Sequence, residues 1–162
     1  MGERGTTARY LCEGAVTAAL YAVLTLALAP LSFGTGGAFQ VRVSEALTTL
    51  PVLFPAAVPG LFAGCLLANL LAGAPLPDVI FGSLATLLSA VLTRRLRKNL
   101  WLAALMPVLC NTVIVGAMLS RVYNLPLPYA MLTVAPGEAA ACFLLGVPLA
   151  RTFGKTGTAN RL

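Results

Sequence analysis

The chain contains no histidine, one tryptophan and only five acidic residues among 162. Without imidazole, the usual general base near neutral pH and the commonest metal ligand are both missing. Charged residues make up 10% of the sequence, too few to cover a soluble domain of this size, much of whose surface must face water. There is no GxxxxGK[ST] phosphate loop, no nucleophile elbow and no CxxC pair. No motif here supports ATP hydrolysis, acyl transfer or a zinc centre. The chain is therefore expected to be no enzyme and to carry no cofactor or metal. Cys12, Cys65, Cys110 and Cys142 lie far apart within apolar runs and read as small buried hydrophobes.

What is present is apolar: 59% of the residues are hydrophobic, the composition of a polytopic membrane protein whose solvent is lipid. Six apolar segments can be placed, at about 10–30, 44–55, 57–73, 78–93, 100–120 and 130–150, and no linker divides them. The expected fold is all-α: six transmembrane helices in a compact bundle, forming one integral membrane domain over 1–162. The second and third segments are short for spanning and flank Pro55 and Pro59, as tilted helices or a re-entrant hairpin would. Arg4 and Arg9 before the stretch from Tyr10 to Ala29 resemble a secretory signal. That stretch nevertheless reaches the roughly 20 residues that cross a bilayer, so a retained first helix is expected.

Lys and Arg set the orientation. With both termini cytoplasmic, Arg4, Arg9, Arg94, Arg95, Arg97, Lys98, Arg151, Lys155 and Arg161 all lie inside, leaving Arg42 and Arg121 outside. The net charge of +6 does not point to nucleic acid, because the basic residues cluster at the ends of apolar spans without interleaved aromatics. The tract RRLRK reads first as a topology anchor near anionic lipid.

Few polar residues enter the apolar segments, and those that do are informative. Gln40, Arg42, Ser44 and Glu45 adjoin a proline-interrupted apolar stretch, and ionisable groups beside broken helices at a bilayer edge read as a binding site. More plainly, Ser44 caps a helix while Arg42 and Glu45 pair across one turn. Asp78 after Pro75-Leu76-Pro77 fits an N-cap, and Glu138 after Pro136-Gly137 fits an acid in a first helical turn. Asn69 and Asn111 lie in apolar runs, where an amide must find partners or lose about 1–3 kcal/mol to desolvation. Interhelical bonding would satisfy them equally. The loop SFGTGGAFQVR, with Gly34, Gly36 and Gly37, has the backbone freedom of a lid or of a simple turn. In the first span AVTAALYA sets Ala15 and Ala19, and also Ala18 and Ala22, four apart, a spacing that lets another helix approach closely, within this chain or from a partner.

The blocks FQVRVSEALTTLPVLFPAAVPGLFAGCLLANLL, DVIFGSLATLLSAVLTRRL, WLAALMPVLCNTVIVGAML and GEAAACFLLGVPLAR resemble the QueT family of bacterial membrane proteins. The resemblance implies a substrate-capturing S component of an energy-coupling factor transporter in the bacterial cytoplasmic membrane. Such a subunit works with a transmembrane coupling subunit and two cytoplasmic ATPases. The implied cargo is a queuosine precursor, a 7-deazaguanine bearing a cyano or aminomethyl group, and the implied partner contact is an AxxxA pattern on the first helix. Ala15 and Ala19 fit it, with Ala18 and Ala22 as the alternative frame.

For such a cargo, Glu45 or Glu138 would accept the N1–H and 2-amino edge, while Asn69, Asn111, Gln40 or Arg42 would donate to the carbonyl. The remaining carboxylate would attract an ammonium, with Asp78 close at hand. Phe39, Phe81 or Tyr129 would stack on the ring. Two rival expectations stand beside this: a proton-coupled secondary carrier of a purine-like or vitamin solute, and a structural membrane subunit without a ligand.

Overall fold

The computed structural model describes residues 2–32 and 41–155, with side chains from residue 7 onward. The first apolar segment forms α1 (Gly2–Ala27) and a short α2 (Ala29–Ser32). A ten-residue 3-10 helix follows, Val43–Val52, then α3 (Ala57–Leu71). A π-helical turn, Asp78–Gly82, leads directly into α4 (Ser83–Arg95), and α5 covers Leu100–Val122. The last segment runs without interruption through α6 (Leu127–Ala139), a second π-helical stretch (Ala140–Gly146) and α7 (Val147–Lys155).

Among the described residues, three helices are long and apolar enough to cross a membrane: Thr7–Ala27, Leu100–Val122 and Leu127–Lys155. The apolar helix Ala57–Leu71 is shorter. At about 2.0 Å per residue the 3-10 helix spans roughly 20 Å, less than the roughly 30 Å of a hydrocarbon core. It is the inner pillar of the bundle. Every residue from Ser44 to Pro51 is buried, and the pillar touches α1, α3, α4, α5, α7 and the second π-helical stretch. Around it α1 packs on α3, α3 on α4, α4 on α5 and α5 on α6. Backbone that departs from the α-helix is tolerated at membrane depth where protein covers it, and here it is covered on all sides.

The tight winding has local causes. Thr48 donates to the Glu45 carbonyl at 2.5 Å and Thr49 to the Ala46 carbonyl at 2.9 Å, so both hydroxyls bond the residue three back, the spacing of a 3-10 turn. Pro51 removes a donor and Pro55 ends the run. The exposed carbonyls at its C-terminal end are taken by Arg94, which donates to Pro51 O at 3.0 Å and Val52 O at 3.2 Å, a favourable place for a cation. The first residue of RRLRK is thus a cap on the pillar.

Small residues let α1 and α3 approach closely. A Cβ placed on Gly60 would come within 2.5 Å of the Gly14 carbonyl oxygen, and one on Gly64 within 2.7 Å of the Ala18 oxygen and 2.8 Å of the Tyr21 Cβ. Ala18 and Ala22 belong to this internal contact, whereas Ala15 and Ala19 are exposed on the outer face of α1. The two frames therefore separate: one is used in folding and the other is left open. Gly64→Val must push the helices apart, and overpacking of this kind costs about 1–3 kcal/mol. Its detergent-solubilised form should melt at lower temperature than the parent, as read by a thermal-shift assay.

One end of the bundle gathers the basic residues. Cys12 and Glu13 of α1 share an apolar groove with Phe54 and Phe153, Arg94 reaches the foot of the pillar, and Arg151 lies 5.2 Å over the Trp101 ring. The start of α1, the ends of α4 and α7 and the start of α5 share that end.

A buried polar cluster of three carboxylates and one guanidinium

The opposite half of the bundle holds a polar cluster in an otherwise apolar interior. Arg42, Glu45, Asn69, Asp78, Asn111 and Glu138 are each at most 6% exposed. They come from five places in the chain. Arg42 and Glu45 lie at the top of the pillar, Asn69 near the end of α3, Asp78 at the head of the first π turn, Asn111 midway along α5 and Glu138 late in α6.

Two halves can be distinguished. In the first, Arg42 Nη2 donates to Asp78 Oδ1 at 3.4 Å, and the Asn69 amide donates to the Asp78 carbonyl, also at 3.4 Å. Gly82 sits against all three, with a Cβ there falling 3.4 Å from Asn69 Nδ2, 3.5 Å from Asp78 Oδ1 and 3.7 Å from Arg42 Nη1. Cys65 lies beneath, accepting from Thr86 at 3.4 Å. In the second half, the Tyr21 hydroxyl donates to Glu45 Oε1, and Asn111 faces both Glu45 and Glu138. The two glutamates lie close enough for their charges to interact. Cys142 of the second π-helical stretch donates to the Glu45 carbonyl at 3.7 Å.

Several polar atoms in this cluster have no hydrogen-bond partner in the protein: Glu45 Oε2, Glu138 Oε2, Asn69 Oδ1 and Ser83 Oγ. Buried polar atoms are nearly always paired, and each left alone costs about 1–3 kcal/mol, more when charged. Three of the four are acceptors on residues of the cluster, and the fourth is the hydroxyl that follows Gly82 in the chain. Only one cation, Arg42, is buried there among the described residues, and it pairs with Asp78. The Arg42 charge also acts on Glu45 and Glu138, neither of which has an ion pair within 4.0 Å among the described residues.

The local roles expected from sequence differ from those observed. Ser44 does not cap the pillar, whose N-terminal flank has no side-chain cap. Its hydroxyl instead accepts from Thr25 at 2.7 Å. Asp78 is not an N-cap; its side chain turns inward to Arg42. Glu138 is not in a first turn, because Pro136 stays inside α6 and Glu138 follows it near the end of that helix. Phe81 and Tyr129, named as ring-stacking candidates, are 47% and 49% exposed on the outer surface. Phe81 lines an apolar groove of about 550 Å³ with Val113, Ile114 and Arg121, a groove with no acid in its lining. Phe39, Gln40 and the glycines of the loop before Arg42 lie outside the described residues.

Tyr21, Thr25, Thr48, Cys65 and Cys142 are parts of the site that the sequence reading did not assign. A tyrosine in AALYAVL has the pattern of a lipid-facing aromatic. The available signal was its spacing: Tyr21 continues the stripe of Thr17, Ala18 and Ala22, which faces inward.

The sequence pattern of a family described as QueT transporter matches residues 11–155. No curated protein and no solved structure matches the chain.

Proposed function

The chain belongs to the QueT transporter family, and from that membership we propose that it is the substrate-capturing S component of an energy-coupling factor importer in a bacterial cytoplasmic membrane. It binds a 7-deazaguanine precursor of queuosine at the half of the bundle away from the basic end. With the basic end cytoplasmic, as the positive-inside rule requires, the cluster belongs to the outer half and the captured base is delivered inward. ATP is hydrolysed by two partner subunits acting through a transmembrane coupling subunit.

The observation that carries this reading is the convergence of Glu45, Glu138 and Asn111 from three separate elements, with buried oxygens that no protein group bonds. A planar base with an N1–H and an amino group supplies donors along one edge, which a carboxylate accepts in a bidentate manner, and its carbonyl takes a donor from an amide or guanidinium. Such a site rejects bases that lack one of these groups, since its own polar atoms would then stay unpaired. The exposed Ala15 and Ala19 on α1 support the coupling-subunit contact, because small residues on an outward face admit a second helix closely.

Calorimetric titration of the purified protein tests the assignment. Heat of binding is expected for 7-aminomethyl- or 7-cyano-7-deazaguanine and weaker binding for guanine, which lacks the 7-substituent. No heat and no thermal stabilisation with any of the three would overturn it, since a ligand of the folded form must stabilise it by mass action.

A further inference from the structure

We propose that the groove between the first π-helical turn and the outer half of α5 holds an anionic phospholipid, its phosphate on the Arg121 guanidinium and one acyl chain along the apolar wall beneath. The groove, of about 550 Å³, is walled by Pro77 and Phe81 on one side and by Val113, Ile114, Ala117 and Arg121 on the other. Seven of its eight lining residues are apolar, and the eighth is Arg121. It opens on the outside of the bundle, where Phe81 is 47% and Val113 54% exposed.

The depth of the charge suits a headgroup. At about 1.5 Å per residue α5 is roughly 34 Å long, slightly more than the roughly 30 Å hydrocarbon core of a bilayer. Arg121 lies in its last turn, at the end away from the basic, cytoplasmic end, and so at the level of the outer phosphates. Val113 lies eight residues earlier, about 12 Å deeper along the helix. The groove thus descends from headgroup level into the acyl region. An arginine stem lies on apolar surface while its planar fork meets phosphate oxygens in pairs.

Charge decides which lipid is held. Arg121 has no ion pair among the described residues, and none of the five acids of the chain lines the groove. Glu3 and Glu13 belong to the first half of α1, toward the other end of the bundle. Asp78 is turned inward to Arg42, and Glu45 and Glu138 are buried. The ammonium of a zwitterionic headgroup therefore finds no carboxylate here, whereas a net-negative headgroup needs only the guanidinium. Other occupants fit less well. An apolar helix laid in the groove would strip water from Arg121 without supplying a counter-charge. A second copy related by a two-fold axis would set one Arg121 against the other, since such a contact uses the same patch twice.

Photolabelling tests the proposal. The full chain is reconstituted in phosphatidylcholine bilayers with a trace of phosphatidylglycerol whose acyl chain carries a diazirine, and labelled peptides are mapped by mass spectrometry. Label is expected on the peptides holding Phe81 and Val113 to Ala117, and a phosphatidylcholine carrying the same diazirine should label them less. Arg121→Gln should reduce labelling by phosphatidylglycerol on the order of fivefold, the loss of one basic group at a lipid surface. Its melting temperature in detergent should match the parent, because the side chain is exposed. Arg95→Gln, at an exposed position on the cytoplasmic end, should leave the groove label unchanged. Ala117→Trp, which fills the groove, should reduce labelling by both lipids. Equal labelling by the two lipids, or an unchanged signal in Arg121→Gln, would overturn the proposal. So would displacement of the label by glycerol phosphate, which lacks acyl chains, or unlabelled groove peptides in a chain that runs as a dimer.

Discussion

Glu138→Gln and Glu45→Gln should each weaken binding of the aminomethyl compound at least tenfold, about 1.4 kcal/mol, measured by calorimetry on purified protein. The substitution changes one oxygen to an amide nitrogen and preserves volume, so packing is little disturbed while an acceptor becomes a donor. At Glu138 the affected group faces Asn111 and has an oxygen with no protein partner. A glutamine there keeps one acceptor oxygen instead of two and so loses the bidentate acceptance of a donor edge. At Glu45 the Tyr21 hydroxyl donates to the same carboxylate, and a glutamine carbonyl still accepts that bond. Charge-assisted bonds to a buried ligand are roughly twice as strong as neutral ones, which is why a tenfold loss is the lower bound. Unchanged affinity in both variants would place the site elsewhere.

The parts of this site that were legible in the sequence are those where chemistry conflicts with surroundings. Asn111 in CNTVIVG and Asn69 in ANLLAG stand out because a membrane interior does not accept an amide without partners, and both proved buried and close to acids. The helical character of each apolar segment was legible for the same reason. The winding of the pillar was not: over ten residues a period of 3.0 and one of 3.6 place side chains similarly, and burial on every face removes the amphipathic contrast that would tell them apart. Nor were the inward turn of Asp78 and the late position of Glu138. A proline followed by an acid signals a helix start, yet Pro136 sits within a continuous helix beside a π-helical stretch, where neighbouring backbone adjusts to the missing donor. Tertiary packing decided both, and no local pattern reports it.

The stripe of alanines on α1 shows the same division and leads to the prediction with the largest effect on transport. Ala18 and Ala22 pack within the chain while Ala15 and Ala19 remain exposed. Gly60 and Gly64 account for the inner contact: they bring α3 so close that the α1 backbone itself is the surface met. The outer pair has no such role in the fold. A bulky residue there should leave the protein intact and block a second helix. Ala19→Trp is expected to bind the deazaguanine with parental affinity in calorimetry. It should fail to accumulate it in cells that express the coupling subunit and both ATPases. Ala18→Trp should instead lower thermal stability, since there the indole meets α3. Deleting the partner subunits should reproduce the Ala19→Trp phenotype, with binding intact and accumulation lost. Undiminished uptake by this chain alone would instead require an energy source within it, and would favour a proton-coupled carrier in which Glu45 and Glu138 exchange protons rather than hold cargo alone. Sensitivity of that uptake to uncouplers at constant ATP separates the two, because an ATP-driven assembly continues when the proton gradient is removed.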